Sequence, residues 1–116
     1  MTTLFGIKNC DTVKKAQKFL TAADIAFDFH DFRIDGIDAI TVQSFIEQIG
    51  LDKVINKRST TWKQLSDEQK NSLTADTATA ICLEQPTLIK RPVLIHDGQF
   101  HIGFKADQYN TIFNIN

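Results

Sequence analysis

The hydrophobic period changes twice within the first third of this chain, and that change limits the fold more than any other feature. Residues 2–7 read as a short strand, with Thr3, Phe5 and Ile7 alternating against Leu4. A polar loop follows, Lys8-Asn9-Cys10-Asp11-Thr12. Over residues 13–23 the apolar positions Val13, Ala16, Leu20 and Ala23 recur at helical spacing and leave Lys14, Lys15 and Lys18 to solvent. Residues 25–33 return to a period of two, with Phe27, Phe29 and Asp31 on one face and Asp28 and His30 on the other. Two strands joined through a helix pair in parallel, because a hairpin turn cannot make that crossover.

Asp35-Gly36 breaks the pattern. Residues 38–49 then read as a helix that buries Val42, Phe45, Ile46 and Ile49 and stops at Gly50. A short helix follows, then a polar loop over residues 56–61. Ser66-Asp67-Glu68-Gln69 has the form of a capping box. A further helix is expected over residues 74–85, with Ala78, Ile81 and Cys82 inward and Pro86 ending it. Arg91-Pro92 opens a strand that runs to His96. Asp97-Gly98 is a two-residue hairpin signal, and Phe100 and Ile102 lie on the returning strand. Residues 105–113 form a last helix with Tyr109, Ile112 and Phe113 inward. The order is β-α-β, helices, β-β-α, without internal repeat or flexible linker.

The length of 116 residues suits one domain, and 42% hydrophobic residues, with nine Phe, suffice for a core. A formal net charge of −1 argues against chain-wide attraction to nucleic acid or to a membrane surface. Cys10 and Cys82 lie far apart, whereas a small secreted scaffold usually carries more cysteines. The N-terminus lacks the basic and apolar regions of a signal peptide, and no apolar run reaches the length of a membrane span. A reducing, cytoplasmic setting is therefore expected.

Cys10 is the first candidate for chemistry. It follows a strand and precedes a helix, where unpaired N–H groups and the helix dipole favour a thiolate, and Lys8 adds positive charge nearby. Val13 occupies the position of a second cysteine in a C-x-x-C loop, so no neighbouring dithiol exists. Ala16 stands where a C-x5-R phosphatase loop needs arginine. Cys10, Cys82, His30, His96 and His101 show no metal-ligand spacing, and no metal is expected. His96 and His101 flank the hairpin and are expected to be solvated. Arg58 and Arg91 are candidates to bind an anion through two parallel N–H bonds, although a surface salt bridge suits either one alone. Cys82, mid-helix on an apolar face, is expected to be core packing.

The start, Leu4-Phe5-Gly6-Ile7-Lys8-Asn9-Cys10-Asp11-Thr12-Val13, resembles the arsenate reductase (ArsC), Spx and YffB family, and is nearest to the YffB branch with its similar G-I-K-N-C-D-T run. Three further segments follow in the family's order: His30-Asp31-Phe32-Arg33-Ile34-Asp35-Gly36, Arg58-Ser59-Thr60-Thr61-Trp62-Lys63, and Ile89-Lys90-Arg91-Pro92-Val93-Leu94. The resemblance spans nearly the whole chain. It implies a single domain with a thioredoxin-like α/β fold, its core in residues 1–34 and 86–116 and a helical insertion over residues 35–85. It also implies a cis peptide before Pro92, beside the Cys10 loop. Cys10 and Arg91 would be catalytic, and Lys8, Asn9, Arg58 and Pro92 would bind substrate.

Departures from the family pattern narrow the function. Arsenate reductases of the family hold the oxyanion with three arginines, and here Phe100-His101-Ile102-Gly103-Phe104-Lys105 lacks the third. Val13 removes the C-x-x-C switch of Spx-type regulators. The leading expectation is a cytoplasmic thiol oxidoreductase whose partners are an oxidised thiol substrate and glutathione, the latter as co-substrate. Two alternatives stand beside it. One is arsenate reduction through a Cys10–arsenate adduct; the other is a Spx-like adaptor that binds RNA polymerase.

Overall fold

The computed structural model describes residues 1–115. The chain divides into two compact units, Met1–Asp31 with the segment from Arg91 onward, and Phe32–Lys90. The first is built on a four-stranded sheet. Its strands are β1 (Thr2–Gly6), β2 (Asp28–Asp31), β3 (Val93–His96) and β4 (Gln99–Ile102), in the order β2-β1-β3-β4. β1 pairs with β2 in parallel, and the other pairs are antiparallel. Helices α1 (Asp11–Ala22) and α7 (Ala106–Ile112) complete the unit. The β-α-β and β-β-α halves are those of a thioredoxin-like α/β fold.

Local chemistry explains these elements. Val13, Ala16 and Leu20 bury one stripe of α1. They meet the inward face of β1, where Gly6 allows a close approach. A Cβ at position 6 would stand 2.6 Å from a methyl of Val13. The hairpin turn has positive φ at both central residues, 49° at Asp97 and 79° at Gly98, a conformation whose twist matches that of the flanking strands. Leu4, Ala16, Leu20, Leu94 and Tyr109 form the buried cluster between sheet and helices. The Tyr109 ring packs edge-on against Phe104 at 4.7 Å and Phe19 at 5.6 Å between centroids. Its hydroxyl is buried with no hydrogen-bond partner among the described residues.

The second unit consists of short helices: α2 (Ala39–Ile49), α3 (Leu51–Val54), α4 (Thr60–Gln64), α5 (Asp67–Asn71), α6 (Ala75–Glu84) and a 3-10 turn, Pro86–Leu88. Asp38, Ser59, Ser66 and Thr74 each cap a helix by accepting a backbone N–H, and Ser66 and Thr74 do so within full capping boxes. Such caps are worth about 1 kcal/mol each, which matters for helices too short to stand alone. Ile55 and Ile89 form a bridge, flanked by Asn56 N–H donating to the Leu88 carbonyl and Lys90 N–H to the Val54 carbonyl, each at 2.7 Å. The unit therefore runs through Lys90. Phe32 belongs with it too, its ring 6.3 Å from that of Phe45.

Three expectations from sequence need correction. β2 is four residues long, not nine, because residues 25–27 serve as the connection from α1, with Ile25 N–H donating to the Leu20 carbonyl. Residues 60 and 61, read as loop, open α4. α1 begins at Asp11, two residues before its first apolar position.

Candidate functional site

The strand register gathers four chain segments at one end of the sheet. β1 and β2 both finish there, with Gly6 opposite Asp31. β3 starts there, with Val93 opposite Phe5 on one side and Ile102 on the other. The Lys8-Asn9-Cys10 turn therefore leaves the same end that Arg91-Pro92 enters and that Gly103 leaves. Of the residues singled out from sequence, Lys8, Asn9, Cys10, Arg91 and Pro92 all lie at this end.

Cys10 is the N-cap residue of α1, with extended backbone at φ −82° and ψ 126°. Its N–H donates to the Ile7 carbonyl at 3.0 Å, closing a turn over Lys8 and Asn9. Its carbonyl accepts the Lys14 N–H at 3.0 Å, the first bond of the helix. The backbone at Cys10 is thus fixed on both sides. The side chain is half-buried and accepts no capping hydrogen bond among the described residues, while the side chains of Lys8 and Asn9 are exposed. The first N–H groups of α1 follow Cys10 directly in the chain and have no acceptor within the helix.

The peptide between Arg91 and Pro92 is cis, as the resemblance implied. Pro92 is buried, and its carbonyl accepts the Gly103 N–H at 2.8 Å. Arg91 is half-buried with its Nε enclosed. Lys105, exposed, is the residue before α7. Arg58 is in the helical unit instead. It is exposed, in the turn before α4, and its backbone N–H donates to Asn56 Oδ1 at 3.1 Å.

Asp31 was not among the sequence candidates. It is 3% exposed and accepts the Lys8 N–H at 3.0 Å. The alternation that set Asp31 on the same face as Phe27 and Phe29 was its signal, since a carboxylate on the inward face of a strand needs partners. Cys82 has the surroundings expected of it. It is fully buried, and burial pushes its thiol up to about 12. His96 and His101 depart from expectation. His96 hydrogen-bonds Thr2 Oγ1 through Nδ1 at 2.8 Å, and its ring lies 4.5 Å from that of Phe113. Burial, and then the neighbouring His96, hold the His101 pKa below its ordinary value. His96 sits at the hairpin end of the sheet, away from Cys10. Among the described residues no helix is long and apolar enough to cross a membrane.

Comparison with known proteins fits this geometry. The family model of the ArsC family matches residues 5–112. An uncharacterized protein of Haemophilus influenzae is 48% identical, over 97% of this chain and 99% of its own. The solved structure of the protein YFFB superposes with a TM-score of 0.89 at 40% identity, covering 96% of this chain and 97% of that one. An arsenate reductase (ArsC) related protein of Brucella melitensis does so with a TM-score of 0.79 at 38% identity, covering 97% and 93%.

Proposed function

Since this chain belongs to the ArsC family, we propose that it is a thiol oxidoreductase in which Cys10 is the only nucleophile and glutathione supplies the second thiol. One observation carries this reading. Cys10 is half-buried at the start of α1, whereas Cys82 is sealed in a core and Val13, three residues beyond Cys10, is fully buried. The chain has no other cysteine, so an intermediate on Cys10 must be resolved from outside.

The reaction is two exchanges. The Cys10 thiolate attacks the glutathione sulfur of a mixed disulfide; a new S–S bond forms, the old one breaks, and the substrate thiolate leaves and takes a proton from solvent. A second glutathione thiolate then attacks the glutathione sulfur held on Cys10. Oxidised glutathione departs and Cys10 returns as thiolate. For each mixed disulfide reduced, one free glutathione is consumed and one oxidised glutathione is released, its second half coming from the substrate itself. Arg91 and Lys8 supply positive charge at this end of the sheet, suited to the glutathione carboxylates and to the developing thiolate.

Peptide-level mass spectrometry after incubation with oxidised glutathione tests the proposal. The expected result is a glutathione adduct on Cys10, none on Cys82, and removal of the adduct by reduced glutathione. No adduct on Cys10, or equal labelling of both cysteines, would overturn it.

A further inference from the structure

We propose that Asp31 is a positioning residue for Cys10, acting through the turn that carries the thiol. The inference rests on the reading of Cys10 as nucleophile. Asp31 ends β2 and is paired in register with Gly6, the last residue of β1. Two residues beyond Gly6 the chain has left the ladder, and no strand partner remains for the Lys8 N–H. The Asp31 carboxylate takes that N–H at 3.0 Å. The next fixed point is the Cys10 N–H on the Ile7 carbonyl. The turn is therefore held across its width by the Ile7–Cys10 bond and anchored to the neighbouring strand by Asp31.

A carboxylate 3% exposed at a strand end is an expensive choice for packing alone. Phe29, two residues before it on the same face of β2, packs against the apolar core, so the strand can present an apolar group there. A backbone acceptor cannot replace it, because β2 is an edge strand of four residues and Asp31 is its last. The strap fixes the direction in which Cys10 leaves the turn, and so the line along which its sulfur meets a disulfide. Exchange depends on that alignment.

The experiment measures mixed-disulfide formation on Cys10 with two probes, oxidised glutathione and 5,5′-dithiobis(2-nitrobenzoic acid). Asp31→Ala removes the acceptor. Asp31→Asn keeps an oxygen acceptor without the charge. Lys8→Pro removes the donor while suiting the first central position of a turn, and is compared with Lys8→Ala, which loses the same ammonium but keeps the N–H. Accessibility of Cys82 to the reagent reports folding in the same samples. With Cys82 still protected, Asp31→Ala should exchange about tenfold more slowly than the parent, Lys8→Pro about tenfold more slowly than Lys8→Ala, and Asp31→Asn within about threefold of the parent. Parental rates in Asp31→Ala, a Lys8→Pro as fast as Lys8→Ala, or an Asp31→Asn no faster than Asp31→Ala, would overturn the proposal. Should Asp31→Ala unfold, Lys8→Pro decides. If the parent reacts with the aromatic disulfide but not with oxidised glutathione, the glutathione reading fails and the Asp31 comparison still stands.

Discussion

Cys10 and Cys82 carry the same thiol into opposite surroundings, and their reactivity should divide accordingly. At neutral pH iodoacetamide should modify Cys10 and leave Cys82 untouched until the protein is denatured, since a buried thiol pushed up to about 12 holds almost no thiolate. Time-resolved mass spectrometry of the two peptides checks this. Arsenate is expected to be a poor substrate. Its charge needs several fixed donors as the arsenic–sulfur bond forms, and Ile102-Gly103-Phe104 offers none where the resemblance implies a third guanidinium, while Lys105, close in sequence, carries a point charge without the planar fork. Saturable arsenate-dependent NADPH consumption in a glutathione- and glutaredoxin-coupled assay, lost in Cys10→Ser, would contradict that. Tyr109→Phe should leave stability unchanged or raise it by up to about 1 kcal/mol, because it removes a buried hydroxyl that bonds nothing among the described residues. Denaturant unfolding reads it directly. Cys10 was legible in the sequence because a polar loop between two periodic segments announces an exposed turn. Asp31 was visible only as an oddity of alternation, because its partner is a backbone N–H that no side-chain pattern reveals.

Among the elements, the contact between β1 and α1 is the most sensitive. Gly6→Ala should cost about 1–3 kcal/mol, since the added methyl would meet a stiff, β-branched neighbour at 2.6 Å. Gly6→Ala combined with Val13→Ala should lose less than the two single losses added together, a non-additivity that thermal or denaturant melts of the four proteins would show. Elements signalled by local chemistry were readable in advance: the Ser66 capping box, the Asp97-Gly98 turn and the stop at Gly50. β2 was overestimated because alternation continues through residues 25–27, yet a strand extends only as far as a partner does, and β1 has five residues. α4 was missed because Thr60 and Thr61 are weak helix formers; the helix depends on the Ser59 cap, hidden in a polar run.

For the molecule as a whole, the β-α-β and β-β-α halves were legible because the polar loop after β1, Pro92 before β3 and the Asp97-Gly98 turn mark where strands end and begin. The limits of the helical unit were not, since Phe32 and Ile89 look like strand residues in sequence and are claimed by Phe45 and Ile55 in space. Each unit also buries a weak acid, Cys82 in the helical unit and Tyr109 in the sheet unit, and burial raises the pKa of both. The folded protein therefore keeps protons that the unfolded chain releases. Stability from Cys82 is intact below the ordinary thiol value of 9.0 and falls as pH rises towards about 12, by about 1.4 kcal/mol per pH unit at most. Urea unfolding between pH 8 and about 11 should show this decline, and Cys82→Ala should make it shallower.

Val13, closed down on Gly6, sets the kinetic order of the proposed cycle. Nothing in the first turn of α1 can displace a captured thiol from within, so each capped molecule waits for a collision. The waiting time is inversely proportional to the free thiol around it: halve that concentration and the capped state lasts twice as long. A two-cysteine loop would erase this dependence through the high local concentration of its own second thiol. With one, the fraction of molecules carrying a cap becomes a running record of how rich the surroundings are in thiol.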